Sequence, residues 1–212
     1  MIILVEGYNA HRYQDLMDQM FVLRARIFSQ RLRWDVQVVD GRERDKYDDQ
    51  DPAYLIYTDE NAKHVKGSLR LMPTTGPTLL ADIFHDTLPA AAQLSAPSIW
   101  ECTRLCIDDR LLGGGSRDEL LLASTALIAG LGEVAIAAGI EMVLGNFDAS
   151  MLRLYRQIGC DVEVLGSTQR FGNSIYLGSF HVSRAIVNKL KRRQEFLESA
   201  ISGTLQRPIL AA

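Results

Sequence analysis

An α/β sandwich built on a mixed sheet is the architecture this 212-residue sequence predicts, and three observations carry it. Short apolar runs alternate along the chain with stretches of helical periodicity. Two of the runs, Ala53–Thr58 and 65–72, lie close enough to form a hairpin. Others are separated by a whole helix, which calls for a crossover. Hairpins give antiparallel pairs and crossovers parallel ones, so one sheet holds both.

Each element has its own signal. Ile2–Val5 is an apolar run suited to a short first strand. Over 11–28, Leu16, Met20, Leu23 and Ile27 recur at the period of an amphipathic helix. Residues 29–52 are the most charged stretch and show no period, which predicts a long functional loop. The paired strands follow, then a proline-bounded break at 73–77, a short helix at 79–84 and a strand over 98–107. Gly113-Gly114-Gly115-Ser116 opens a long apolar helix over 117–138. A strand at 141–147, a helix at 150–158, strands at 162–165 and 175–182, and a last helix from Ser183 complete the order.

At roughly 150 residues per domain the length corresponds to about 1.4 domains, and the chain reads as one domain over 1–212. Apolar residues at 47% and charged residues at 23% exclude wholesale disorder. No uncharged apolar run approaches the ~20 residues needed to cross a bilayer. The start lacks the basic region of a signal peptide, so a cytoplasmic protein is expected. Cys102, Cys106 and Cys160 are too few for a disulfide framework and stand in no Cys/His cluster, so no metal is expected. A net charge of −3 argues against a nucleic-acid partner. That average hides an asymmetry: residues 149–193 hold eight basic side chains and two acids, +6 against −9 for the rest. Such a region suits an acidic partner.

Charge inside predicted strands marks the candidate site. In Trp100-Glu101-Cys102-Thr103-Arg104, alternation sets Glu101 and Thr103 against one face and Arg104 against the other. Arg70 is a further charge within a strand. One such residue is most simply a structural ion pair. Three of them, costly to bury unpaired, point to a site. Arg24 and Phe28 share a helix face; Phe28 is most simply core, whereas Arg24 needs an anion. Trp34 is an indole on an irregular segment and needs a surface to pack on. Asp45 and Asp48 lie in what is, taken alone, an ordinary solvated loop.

Taken together these residues resemble, in identity and spacing, the acyl-homoserine-lactone synthases (LuxI-type autoinducer synthases). The match runs Leu23-Arg24-x-x-x-Phe28, Trp34, Glu43-Arg44-Asp45-x-Tyr47-Asp48, Arg70, and Glu101-x-Thr103-Arg104. It covers about 1–165 and is densest over 24–110. The resemblance implies a three-layer α/β/α sandwich with a mixed central sheet, like that of the GNAT N-acetyltransferases. It also implies synthesis of an N-acyl-homoserine lactone signal from S-adenosylmethionine, a substrate and not a cofactor, and an acyl thioester. By family position Glu101 and Arg104 form the catalytic pair, with Glu101 as the base or as the holder of a water that acts as one. Arg24, Phe28, Trp34 and Arg104 would line the S-adenosylmethionine pocket. Asp45 and Asp48 would meet its amine or order the loop, Arg70 would hold one of these carboxylates, and Thr103 would support it.

The resemblance assigns the acyl pocket to 141–158. Gly145 falls where members with 3-oxo signals carry threonine, which argues against 3-oxo selectivity and leaves room for a longer chain. Met151, Leu152 and Tyr155 are lining candidates, with plain core as an equal alternative. The opening segment looks closest to long-chain rhizobial members. Acyl carrier protein is the implied partner, docking on Arg153, Arg156, Lys189, Lys191, Arg192 and Arg193; a solvated helix face is the competing reading for each. Two rival functions stay open. Arg110-x-x-Gly113-x-Gly115 matches the pyrophosphate-cradling loop of CoA-dependent acetyltransferases, which would make acyl-CoA the donor or a different amine the acceptor. A non-catalytic acyltransferase-like binding domain is the other, against which stands the presence of all eight of Arg24, Phe28, Trp34, Asp45, Asp48, Arg70, Glu101 and Arg104.

Overall fold

The computed structural model describes residues 1–88, 94–108, 110, 116–170 and 172–205. Strand β1 (Ile2–Val5) leads through a 3₁₀ turn at Gly7–Arg12 into α1 (Gln14–Arg24), which widens into a π-helical stretch at Ala25–Arg31. Next come β2 (Val38–Val39), β3 (Arg42–Glu43), a 3₁₀ turn at Lys46–Asp49, β4 (Ala53–Thr58) and β5 (Val65–Pro73). Helix α2 (Leu79–Asp82) and a 3₁₀ turn at His85–Thr87 precede β6 (Ile99–Ile107). The remainder is α3 (Arg117–Ala137), β7 (Met142–Asp148), α4 (Ala149–Ile158), β8 (Glu163–Arg170), β9 (Asn173–His181) and α5 (Arg184–Leu205).

Seven strands form one mixed sheet in the order β1-β4-β5-β6-β7-β9-β8. Among the described residues only β6 and β7 run parallel, joined by the crossover through α3. Alternation along β4 shows the layers: Tyr54 and Ile56 pack with Leu16, Met20 and Phe28 of the α1 side, while Ala53 and Leu55 pack with Leu127 of α3. Helices α3, α4 and α5 cover that second face, giving the three layers expected. Ser116 caps α3 by accepting from Glu119 N, and Asp148 caps α4 by accepting from Ser150 N and Met151 N.

Three features depart from the sequence reading. The segment 29–52 is not irregular throughout: Asp40 and Gly41, both at positive φ (50° and 76°), turn β2 back onto β3. Asp-Gly is the dipeptide that such a two-residue hairpin prefers, a signal the charge run hides. Second, α3 is by length and composition apolar enough to cross a bilayer, contrary to the expectation for this chain. Its apolarity serves burial, because sheet, α4 and α5 pack around it and leave little of it exposed. Third, a bulge interrupts β6. Between Ser68↔Cys106 and Arg70↔Thr103, two residues of β6 oppose one of β5, and Arg104 takes a left-handed φ of 56°. The bulge turns Arg104 onto the face of Thr103, so simple alternation fails there.

Candidate active site

The hairpin and the 3₁₀ turn after it carry three acids onto the sheet face beneath α1. Asp45 caps the turn, accepting from Tyr47 N at 3.0 Å, while its own N–H donates to Asp48 Oδ2 at 2.8 Å. Three guanidinium groups meet these acids. Arg24 donates through Nε to Glu43 (2.5 Å) and through Nη1 and Nη2 to both oxygens of Asp48 (2.8 and 2.9 Å). Arg70 forks onto Asp45 (2.5 and 3.0 Å), reaches Asp48 (2.9 Å), and donates from Nε to Thr103 Oγ1 (3.0 Å). Arg104 bridges Glu43 (3.0 Å) and Asp45 (2.8 Å). Tyr54 adds a hydroxyl to Asp48 at 2.7 Å. Three cations thus face three carboxylates in a nearly closed network, which is what makes burying them tolerable. Burial works against charge on Asp48, but Arg24 and Arg70 outweigh it and hold its carboxyl well below the ordinary range. Likewise, Asp48 and Glu43 hold Arg24 protonated despite burial.

A cavity of about 1050 Å³ opens in front of this network. At its polar end Trp34 stacks on Phe28 (centroids 5.1 Å apart, planes at 24°), and the Arg104 guanidinium lies 5.4 Å from the Phe28 ring. The π-helical stretch sets this pair: Trp34 N donates to Phe28 O at 2.8 Å. Asp45, Thr103 and Glu43 contribute to the same wall. The cavity then passes between β6 and β7, whose pairing begins at Ile99↔Met142 and ends at the third pair, Glu101↔Leu144. Beyond that point the two strands part, and Cys102, Gly145, Met151, Leu154, Tyr155, Ile128 and Leu131 line an apolar chamber on the α3 side. Burial pushes the Cys102 thiol up to about 12, so it is protonated at neutral pH and is no nucleophile for an acyl group.

The arrangement redistributes the roles expected of the residues. Arg24 and Asp48 do not line the cavity; every nitrogen of Arg24 is spent on Glu43 and Asp48, and the two residues form the support behind the wall. Glu101 also lies outside the lining. It is 1% exposed, and its oxygens accept from Leu79 N (2.9 Å) and Leu80 N (2.6 Å) at the start of α2. Burial pushes its carboxyl up, against the two N–H bonds and the nearby Arg70 and Arg104, to about 7. Helix α2 in turn presents Leu79, with Ile83 and Phe84 just beyond it, to the cavity. Met151, Tyr155 and Gly145 line the apolar chamber, whereas Leu152 packs into the core beside it. Of the basic set, Arg153 reaches the cavity, Lys189 pairs with Asp161 (2.9 Å), and Lys191 pairs with Glu133. Those two pairs reduce the positive field expected there. Gly113 and Gly115 of the Arg110-x-x-Gly113-x-Gly115 loop lie outside the described residues.

Sequence reasoning gave Glu43 no role, although it opens the Glu43-Arg44-Asp45 run of the matched motif. It is fully buried and bonds two of the three arginines, and its place two residues after the Asp-Gly turn was a second signal. Among the described residues no group of His, Cys, Asp and Glu side chains could hold a metal ion.

A sheet that parts at a parallel pair, with a buried carboxylate at the parting and an apolar chamber below it, is the framework of an acyltransferase with the N-acetyltransferase architecture. A Lactobacillus plantarum protein assigned as an N-acetyltransferase shares this fold at a TM-score of 0.54, with 16% identity over 86% of this chain and 99% of that one. The autoinducer synthase family model matches residues 8–190, and the chain belongs to that family. The acyl-homoserine-lactone synthase of Rhizobium etli is 36% identical over 167 residues, 78% of this chain and 77% of that protein. The CoA-dependent acyl-homoserine lactone synthase BjaI, solved with S-adenosylmethionine and isopentyl-CoA, superposes at a TM-score of 0.82 with 27% identity, covering 92% of this chain and 89% of that one.

Proposed function

We propose that this chain condenses S-adenosylmethionine with an acyl thioester to give an N-acyl-homoserine lactone, releasing methylthioadenosine and the free thiol. One observation carries the reading: a single cavity is aromatic and charged at the Phe28–Trp34–Arg104 end, apolar at the other, and continuous through the gap between β6 and β7. A cationic sulfonium suits the aromatic faces, and an acyl chain suits the chamber. Membership of the autoinducer synthase family agrees with this.

The two substrates meet where the strands part. The amine nitrogen attacks the thioester carbonyl, and the amide forms as the C–S bond breaks and the sulfur leaves as a thiol. Backbone N–H groups freed from pairing beyond Glu101↔Leu144 are suited to the developing oxyanion. The amine must lose a proton, and Glu101, with its pKa near 7, is matched to receive it through an intervening water. The substrate carboxylate then attacks the γ-carbon, and the sulfonium departs with the bonding pair as a neutral thioether; this step needs no nucleophilic side chain. Asp45, fixed by Arg70 and Arg104, is the carboxylate available to the amine in the polar half. Arg104 holds the wall on which the aromatic pair rests.

The thioester carrier has two readings. Exposed Arg153, Arg156 and Arg192, with Arg193, favour an acidic acyl carrier protein. Similarity to BjaI, which is CoA-dependent, favours acyl-CoA. Purified protein is given S-adenosylmethionine with acyl-CoA or acyl-carrier-protein donors, and lactone and methylthioadenosine are measured by mass spectrometry. Equal amounts of both products are expected. Amide without methylthioadenosine would replace this reading with a plain acyltransferase, and no binding of S-adenosylmethionine would end it.

A further inference from the structure

We propose that Val187, seated against Gly132, is the floor of the acyl chamber and sets the longest acyl chain the enzyme accepts. The inference rests on the reading in the previous section and names the part of that site which measures its substrate. Two spaces approach each other where α3 packs on α5. One is the deep end of the 1050 Å³ cavity, walled by Leu131, Gly132, Ile186 and Leu190. The other is a separate outer pocket of about 290 Å³, walled by Glu133, Ile136, Arg184, Asn188 and Lys191. Among the described residues Val187 is the side chain common to both linings, so it is the partition between them.

Gly132 explains why the partition is tight. A Cβ placed there would lie 2.5 Å from Val187 Cγ2, closer than two carbons approach, so valine occupies the space that any other residue at 132 would fill. Glycine is disfavoured inside a helix, and its presence in the middle of α3 is accounted for by this contact. Both residues are held in place: Val187 is 5% exposed, and Leu131 and Leu190 are buried on either side. Beyond the partition the chemistry changes. Lys191 and Glu133 pair across the outer pocket, and Arg184 and Asn188 complete a polar rim. A methyl terminus is therefore favoured up to Val187 and disfavoured past it. The substrate this describes is an acyl chain that enters at Cys102 and Gly145 and ends against Val187.

The test is a donor series. Wild type, Val187→Ala, Val187→Phe and the isosteric Val187→Thr are each given S-adenosylmethionine and saturated acyl thioesters of increasing length, and kcat/KM is ranked by chain length. Each buried methylene is worth on the order of fourfold. Val187→Ala joins the two spaces and should favour donors longer by about two carbons by roughly tenfold over the wild-type optimum, a gain limited by the polar rim. Val187→Phe should shorten the optimum, with Val187→Leu in its place if the phenylalanine variant does not fold. Val187→Thr should keep the wild-type ranking. A residue that only supports the α3–α5 contact would lower all donors alike, and an unchanged ranking in the alanine and larger variants overturns the proposal. Wild-type protein that makes no lactone from any donor would instead defeat the reading of the reaction.

Discussion

Replacing Arg70 by methionine keeps most of the buried volume and removes one charge from a balanced set. Arg24 and Arg104 would then face Glu43, Asp45 and Asp48, two cations against three carboxylates, with Arg70's site wholly inaccessible to solvent. Asp45 loses its forked pair and Asp48 one of its five donors, while Thr103 loses the Nε–H. Breaking a buried pair from one side costs about 3–5 kcal/mol, because the remaining carboxylate stays buried without its partner. For a chain of this size that corresponds to a fall in Tm of roughly 6–20 °C. The pH dependence gives a second check. Asp48's folded pKa lies below its unfolded value of 3.8, so its pairing contributes stability above that pH and loses it as pH falls through and below it. Arg70 is one cause of the depression, so the gap between wild type and variant should be widest at neutral pH and shrink below pH ~4. Urea unfolding followed by circular dichroism at several pH values measures both. A loss under about 1 kcal/mol, or one indifferent to pH, would show that the network does not support the wall of the site.

Other expectations follow from the same geometry. Glu101→Gln should lower kcat/KM by about 10²–10⁴, and the rise in wild-type activity through pH 7 should disappear from the variant's pH–rate profile. Because Glu101's folded pKa is raised, its burial favours the folded state only while it is protonated. That contribution is lost as pH climbs from 4.5 through 7, and the glutamine variant should not show the decline in pH-stability titration. Gly145→Thr should depress lactone formation about tenfold in steady-state assays, since even a Cβ at 145 would lie 3.4 Å from Cys102 O at the gap the substrate crosses. Trp34→Ala should raise KM for S-adenosylmethionine and leave KM for the acyl donor unchanged, because Trp34 stacks only at the polar end.

The mixed α/β class, the run of elements along the chain and most of the charged cluster were legible in the residues, because hydrophobic period and the cost of burying charge are local in sequence. Arg70 and Glu101 stood out as charges inside apolar strands, and both are almost fully inaccessible. What stayed hidden depends on contacts between distant segments. The bulge at Arg104 is set by pairing with β5, and alternation alone put the side chain on the wrong face. Arg24 and Asp48 carry the right chemistry for a ligand, yet both are spent on partners inside the network, which only the approach of the 3₁₀ turn to α1 reveals. The basic tally over 149–193 could not foresee that Lys191 would find Glu133 on α3. Glu43 stood in the matched motif without a role, and the Asp-Gly turn before it was the overlooked cue.

Arg104 answers to two requirements that rarely coincide. Its backbone sits at φ 56°, where glycine and asparagine are comfortable and β-branched side chains are not. Its side chain must span Glu43 and Asp45 with a rigid fork, which neither of those residues offers and which a lysine ammonium cannot reproduce. Each single substitution satisfies one requirement by abandoning the other. A change at this position is therefore tolerated only if the strand straightens as well, so the irregular β6 and its arginine stand or fall together.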